Sequence, residues 1–301
     1  MARRQIDQAA GLRQLVTPSH SRSISFVSSL GSAGATSCVI NLAAALVERQ
    51  REVLILDEFK GPQAIAQRLR LRQDLGLEHV LQRLVSLPDL LQTSAQGFGV
   101  LPIATPPAAL ACLNDMEQRW LAAEFEQLTS HADFILLDSR PSTSHGITSL
   151  SVATDDLVLV MNNRADSLTD CYASIKLLNQ EHGRRDFRIL VNRVHSLDEA
   201  TALFRRLKSV ALHYLGDALN LRLIGFVPED EGIPRAGRLG QTVLDAYPDS
   251  EASIAFRQLA DSMLRWAPPA SPADSPAGFV YRLVESSRQR FDRYDDPAAK
   301  A

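Results

Sequence analysis

Seven short apolar runs, each set apart from the next by a helical pattern, constrain this chain more than any other feature. They are ISFVSS at 24–29, VLILD at 53–57, GVLPI at 99–103, FILLD at 134–138, DLVLVM at 156–161, FRILVN at 187–192 and LRLIGF at 221–226. Most are nearly continuous Val, Ile, Leu and Phe with no polar alternation. That pattern suits strands buried on both faces, as in parallel sheets covered by helices. Between them, SCVINLAAALVERQ places apolar residues at 39, 42, 43 and 46, the spacing of a helix. Further helices are expected over 117–130, 168–181, 197–213 and 251–265. The alternation predicts an α/β fold with a doubly wound, mainly parallel sheet.

With 301 residues, 45% of them hydrophobic, the chain can bury one large α/β domain or two small ones. The pattern divides it into an N-terminal segment (1–23), a body (24–266) and a tail (267–301). The first segment holds a short helical pattern and a Ser/Pro/Arg joint, TPSHSRS. The tail opens with the linker PPASPADSPAG and continues as GFVYRLVESSRQRF, which has an amphipathic character. A net charge of -3, from 32 basic and 35 acidic residues, argues against a general nucleic-acid binder. Cys38, Cys112 and Cys171 form no CxxC pair, which points to a reduced compartment and away from a cysteine metal site. No apolar run is long enough to span a bilayer, and the basic MARRQ is followed by no apolar stretch. A cytoplasmic location is therefore expected.

Parallel sheets bind ligands at the carboxyl ends of their strands, near a switch in strand order. The first strand-to-helix turn reads Ser28-Ser29-Leu30-Gly31-Ser32-Ala33-Gly34-Ala35-Thr36-Ser37. Its glycines and small residues allow successive N–H groups to form an anion nest at a helix N-terminus. A tight turn with no ligand explains the composition equally well. The turn lacks the lysine of GxxxxGK[ST], and no GxGxxG is present, which argues against a dinucleotide oxidoreductase. Asp57 and Asp138 each end a buried strand and are the candidate catalytic carboxylates.

Taken together and in this order, the turn and the two aspartates resemble the MinD/ParA class of P-loop ATPases. Ser29 to Thr36 matches the family's GKGGxGKT turn, with Leu30 at the signature-lysine position and Ala35 at the second lysine. The family's DxD reads Asp57-Glu58-Phe59. Asp138-Ser139-Arg140-Pro141-Ser142 matches the third motif, Asn192-Arg193 the base-recognition strand end, and Ile224 to Asp230 the GxIPxD segment. Two further stretches resemble the FlhG/FleN-type flagellar-number regulators within that class: Asp7-Gln8-Ala9-Ala10-Gly11-Leu12-Arg13, and Pro248 to Ser253 with Phe256 after it. DSLTDCYASIKLL at 166–178 resembles the helix near their switch.

The resemblance implies a P-loop NTPase fold with a nucleotide site at Gly31, Ser32, Gly34, Thr36, Ser37 and Asn192. It also implies a Mg²⁺ ion at Thr36 and Asp138. Each lost lysine contact removes roughly 1.5–3 kcal/mol of charge-assisted bonding to phosphate. Phe59 removes a carboxylate that helps position water. ATP or ADP with Mg²⁺ would then be held weakly, and a pseudo-ATPase is expected; Arg140 and Lys60 are the candidate replacement cations. In the resembling class, the segment with Asp7, Gln8, Leu12 and Arg13 engages and stimulates an SRP-type GTPase, FlhF. Other expected partners are a flagellar regulator or basal-body protein, a second copy of the chain, and the inner face of the membrane through the tail. Packing of the tail helix on the body, or a disordered tail, remains open against membrane contact. Two alternatives also remain open: an active ATPase that dimerises on ATP, and a ParA-like cargo- or DNA-partitioning adaptor.

Overall fold

The computed structural model describes residues 21–28, 33–72, 75–104, 107–139, 141–142, 146–147, 149–267 and 276–295. The described strands are β1 (Arg22–Ser28), β2 (Val53–Asp57), β3 (Gln92–Thr93), β4 (Gly99–Pro102), β5 (Phe134–Ser139), β6 (Pro141–Ser142), β7 (Gly146–Ile147), β8 (Asp156–Met161), β9 (Asp186–Val194) and β10 (Asn220–Pro228). Helices α1 (Ala35–Glu48), α2 (Ile65–Arg68), α3 (Leu77–Leu81), α4 (Leu87–Leu90), α5 (Pro107–Ala111) and α6 (Asp115–Thr129) lie in the first half. The second half holds α7 (Ser149–Ala153), α8 (Ala165–His182), α9 (Leu197–Leu215), α10 (Gly232–Leu239), α11 (Val243–Ala246), α12 (Glu251–Met263) and α13 (Pro276–Asp295).

Eight strands form one sheet in the order β10-β9-β8-β1-β5-β2-β4-β3. Every pairing is parallel except that of the two-residue edge strand β3 with β4. All seven apolar runs become strands of this sheet. β2, β5 and β8 are buried along their whole length, which is why their sequences show no alternation. The sequence reading lacks β3, which is too short to carry a pattern. It also lacks α10, whose GIPRAGRL winds into a helix closed by Gly240 in the left-handed region, φ +75.

Local chemistry sets the long helices. Asn114 caps α6 by accepting hydrogen bonds from the Met116 and Glu117 N–H groups. Ser196 and Ser250 cap α9 and α12 in the same way. Gly183, at φ +63, ends α8 in the left-handed conformation. On one face of the sheet, α1 and α12 bury Val39, Leu42, Leu46, Phe256 and Leu259.

The opposite face is covered in part by the tail helix. α13 buries Phe279, Val280, Leu283 and Val284 in one cluster with Leu121 and Phe125 of α6. The rings of Phe125 and Phe279 stack at 5.3 Å. Arg282 Nε donates to the Ala153 carbonyl at 2.8 Å, and Arg288 Nη2 donates to that of Leu113 at 2.6 Å. The amphipathic character seen in the sequence is therefore satisfied by the protein's own body. No described helix is long and apolar enough to cross a membrane.

At the amino ends of the central strands, Asp156 is held between Arg22 at 2.6 Å and Arg188 at 2.7 Å. Both guanidinium groups lie over the Trp266 ring, at 5.3 and 4.0 Å from its centroid. This joins β1, β8 and β9 to Trp266, three residues past the end of α12.

Candidate phosphate-binding site

The order of strands reverses at β1. The chain runs from β1 out to β2 and β4, returns to β5, then crosses β1 to reach β8. The crevice at the carboxyl end of β1 is where an α/β sheet offers a ligand site. α1 starts there, and Gly34 is its N-cap, at φ +90 and with no side chain capping the helix. The first-turn N–H groups of a helix have no intrahelical partner and carry the positive end of its dipole.

Two features require glycine at 34. Its φ lies in the left-handed region, and an added Cβ would stand 2.5 Å from Asn192 Nδ2. That amide donates to the Ala33 carbonyl at 2.6 Å, so the end of β9 pins the turn after β1. Asn192 is buried, and its Oδ1 has no hydrogen-bond partner among the described residues.

Asp57 and Asp138 stand opposite each other in the β2–β5 register. Asp57 is committed locally: Oδ1 accepts from the Phe59 N–H at 3.0 Å and Oδ2 from the Ile65 N–H at 2.6 Å. Burial lifts its pKa to about 6, against the pull of those N–H groups and of Arg68. Asp138 is fully buried, and neither of its oxygens receives a hydrogen bond of good geometry among the described residues. Burial first, then the Asp57 charge, push its pKa well above the carboxyl range, while the Thr36 hydroxyl and Arg68 oppose the rise. Thr36 is itself buried in the first turn of α1.

A bare carboxylate beside a hydroxyl is a hard-oxygen donor set that fits Mg²⁺. Among the described residues no group of three or more acidic, His or Cys side chains could hold a metal alone. Mg²⁺ is commonly bound by one or two protein oxygens together with phosphate and water. Thr36 and Asp138 would hold the ion, which would neutralise phosphate charge.

The structure thus brings together Gly34, Thr36, Ser37, Asp57, Asp138 and Asn192. Leu30, Gly31, Ser32 and Arg140 lie outside the described residues, as do Asp7, Gln8, Leu12 and Arg13. Ala35 is buried in the core that α1 shares with the sheet. Lys60, one expected replacement cation, is paired with Glu78 at 2.9 Å. Two arginines absent from the expected set do reach the turn. Arg68 Nη1 donates to Ser37 Oγ at 3.3 Å, and an Arg193 nitrogen stands 3.9 Å from where a Gly34 Cβ would be. The sequence signal for Arg193 was its place beside Asn192; nothing in it indicated where the side chain points.

Two other motifs have structural work. Asp230 accepts from the Gly232 N–H at 2.6 Å and the Ala252 N–H at 3.2 Å, joining α10 to α12. Ser250 and Ser253 build the α12 cap, and Ser253 Oγ donates to the Tyr247 carbonyl at 2.8 Å.

Residues 24–243 match the family described as CobQ/CobB/MinD/ParA nucleotide binding domain. The chain is 32% identical over 255 residues to the antiactivator FleN of Pseudomonas aeruginosa, covering 85% of this chain and 90% of FleN. It is 23% identical over 209 residues to the flagellum site-determining protein YlxH of Helicobacter pylori, covering 67% of this chain and 70% of YlxH. Among solved structures, a chain of the MinC:MinD cell division protein complex of Aquifex aeolicus aligns with a TM-score of 0.62 at 22% identity, over 83% of this chain and 98% of that one. MinD of Pyrococcus horikoshii, complexed with Mg-ADP, aligns with a TM-score of 0.58 at 24% identity, over 81% and 96%. The chain belongs to the CobQ/CobB/MinD/ParA nucleotide-binding-domain family, within its FleN-type branch.

Proposed function

We propose that this protein is a FleN-like regulator of flagellar number or placement that acts through protein contacts, with little or no ATP hydrolysis. The likeness to an antiactivator and to a flagellum site-determining protein supports the process. The observation that carries the second half is Ala35, a buried methyl where the family's phosphate lysine stands. A methyl group cannot stabilise the charge that develops on a transferring phosphoryl group. Phe59 offers no carboxylate to orient water, and its N–H is bound to Asp57. ATP or ADP with Mg²⁺ at Thr36 and Asp138 then serves as a bound signal and is turned over slowly or not at all.

The partner in this reading is an SRP-type flagellar GTPase, engaged by Asp7, Gln8, Leu12 and Arg13. A homodimer, a basal-body protein and a membrane surface complete the set of contacts. Membrane contact through α13 would require the helix to leave the body, since its apolar face is buried. The test is an ATPase assay with the partner GTPase and anionic vesicles present. No turnover above background is expected. Turnover that disappears in Thr36→Ala or Asp138→Asn would overturn the pseudo-ATPase reading.

A second reading, an ATPase that dimerises on ATP, draws support from the unpartnered Asp138 carboxylate. Dimerisation on a sizing column with ATP but not ADP would favour it. A DNA-partitioning adaptor would shift DNA in a gel at low salt and release it as salt rises.

A further inference from the structure

The lysine is missing from the turn, but positive charge reaches the site from elsewhere. Arg193 is the extra residue of a β-bulge: β9 and β10 pair Asn192 with Val227 and then Val194 with Pro228, leaving Arg193 without an opposite residue. Its φ is +58, in the left-handed region. A bulge bends its strand and re-aims the side chain it carries. Here the guanidinium is turned toward α1, with Nη2 3.9 Å from the position a Gly34 Cβ would take. Its charge also reaches the buried Cys38 thiol, which burial pushes up to about 12 while Arg193 pulls it down. Arg193 is exposed and, among the described residues, has no hydrogen bond or ion pair.

The groups around it are incomplete without a ligand. Asn192 Oδ1 and both Asp138 oxygens are buried and have no hydrogen-bond partner among the described residues. The α1 N-terminus has no side-chain cap, and Arg68 stands at Ser37 on its other flank. A mobile surface arginine would satisfy none of these groups. A phosphate chain with its Mg²⁺ ion would accept from the helix N–H groups and the arginines, and would bring a cation to Asp138.

We propose that Arg193 is the phosphate-binding cation of this site, acting from the β9 bulge in place of a lysine at position 35, with Arg68 as the second cation, so that the site takes the di- or triphosphate of a nucleotide. This rests on the reading of the turn as a phosphate site. It deepens that reading by naming the side chains that replace the family's lysines. The bulge supplies charge from a different strand, which is why the turn can lose its own.

The test is calorimetric titration of the full chain with ATP, ADP and pyrophosphate, each with Mg²⁺, for wild type, Arg193→Gly, Arg193→Lys and Arg68→Gln. Arg193→Gly should weaken ATP and pyrophosphate alike by about 10- to 100-fold. Arg193→Lys should fall between, and Arg68→Gln should lose less than Arg193→Gly. Glycine suits φ +58, so Arg193→Gly should resist urea at least as well as wild type, which separates lost affinity from a lost fold. Equal affinity in Arg193→Gly and wild type would overturn the assignment and leave the turn a phosphate site. Weaker ATP binding with unchanged pyrophosphate binding would also overturn it. If wild type binds none of the three, the phosphate site itself fails, and the assignment with it.

Discussion

Asp57 and Asp138 face each other in register on adjacent parallel strands, both out of reach of solvent, and only Asp57 has N–H groups to hold its charge. Each acid raises the cost of ionising the other, as the rise in Asp138 through the Asp57 charge shows.

The pair makes stability depend on pH with a definite sign. Both groups keep protons in the folded protein at pH values where the unfolded chain has released them. Stability therefore falls as pH rises from the ordinary carboxyl value to about 6 for Asp57, and further up for Asp138. Asp138→Asn removes one charge at nearly constant volume. It should stabilise the protein at pH 7.5 by about 1–3 kcal/mol and leave it unchanged near pH 4. Urea denaturation at the two pH values measures this, and parallel profiles for variant and wild type would contradict it. Added Mg²⁺ should raise the wild-type midpoint at pH 7.5 and should not raise that of Asp138→Asn.

The contact between Asn192 and the turn should be costly to disturb. Asn192→Ala removes the donor to the Ala33 carbonyl and should cost about 1–2 kcal/mol. Gly34→Ala meets both the left-handed φ and a 2.5 Å approach to Nδ2, and should cost more. Combining the two removes the clash, so the pair should cost less than the sum of the singles. A double-mutant cycle in urea reads this coupling, and simple additivity would count against the contact.

Truncating the tail helix should act like damage to a core. Leu283→Ala and Phe279→Ala each remove buried side chains that pack with α6, and should cost about 2–5 kcal/mol. Thermal unfolding of the whole body should shift to lower temperature as a single transition. A separate early transition with the body unaffected would show that α13 is only loosely attached.

Ala35→Lys returns the family's cation to the first turn of α1. It should tighten ATP binding by about 10- to 100-fold without restoring hydrolysis, because Phe59 still stands where the water-positioning carboxylate belongs. Turnover should need Ala35→Lys with Phe59→Asp. Hydrolysis restored by the single change would mean that Phe59 is not the second block.

The fold was legible because buried parallel strands declare themselves as apolar runs, and all seven were found. Boundaries moved by a few residues, as at Ala165, which starts α8 three residues ahead of the expected 168. β3 was not legible because its two residues are held only by pairing with β4. The candidate site divides in the same way. Gly34, Thr36, Asp57, Asp138 and Asn192 belong to one crevice, as their order along the chain suggested. Arg193 could not be aimed from sequence, because the bulge that turns it arises from its register with residues 227 and 228, far along the chain. For Arg68, the approach to Ser37 depends on how the loop after Asp57 folds back through the Ile65 N–H.

The place of β1 in the sheet has a consequence for how the protein is made. Of the described strands β1 is the first to leave the ribosome, yet it ends up in the interior of the sheet with later strands on both sides. Its partners begin at Phe134 and Asp156, so at usual synthesis rates it waits roughly 5–20 s for the first of them. Arg22 waits longer still, since the carbonyl it reaches belongs to Trp266. Until then a nascent segment built of Ile, Phe and Val has no sheet to enter. Chaperone demand in cells should therefore track the time taken to complete the body more than the stability of the finished fold.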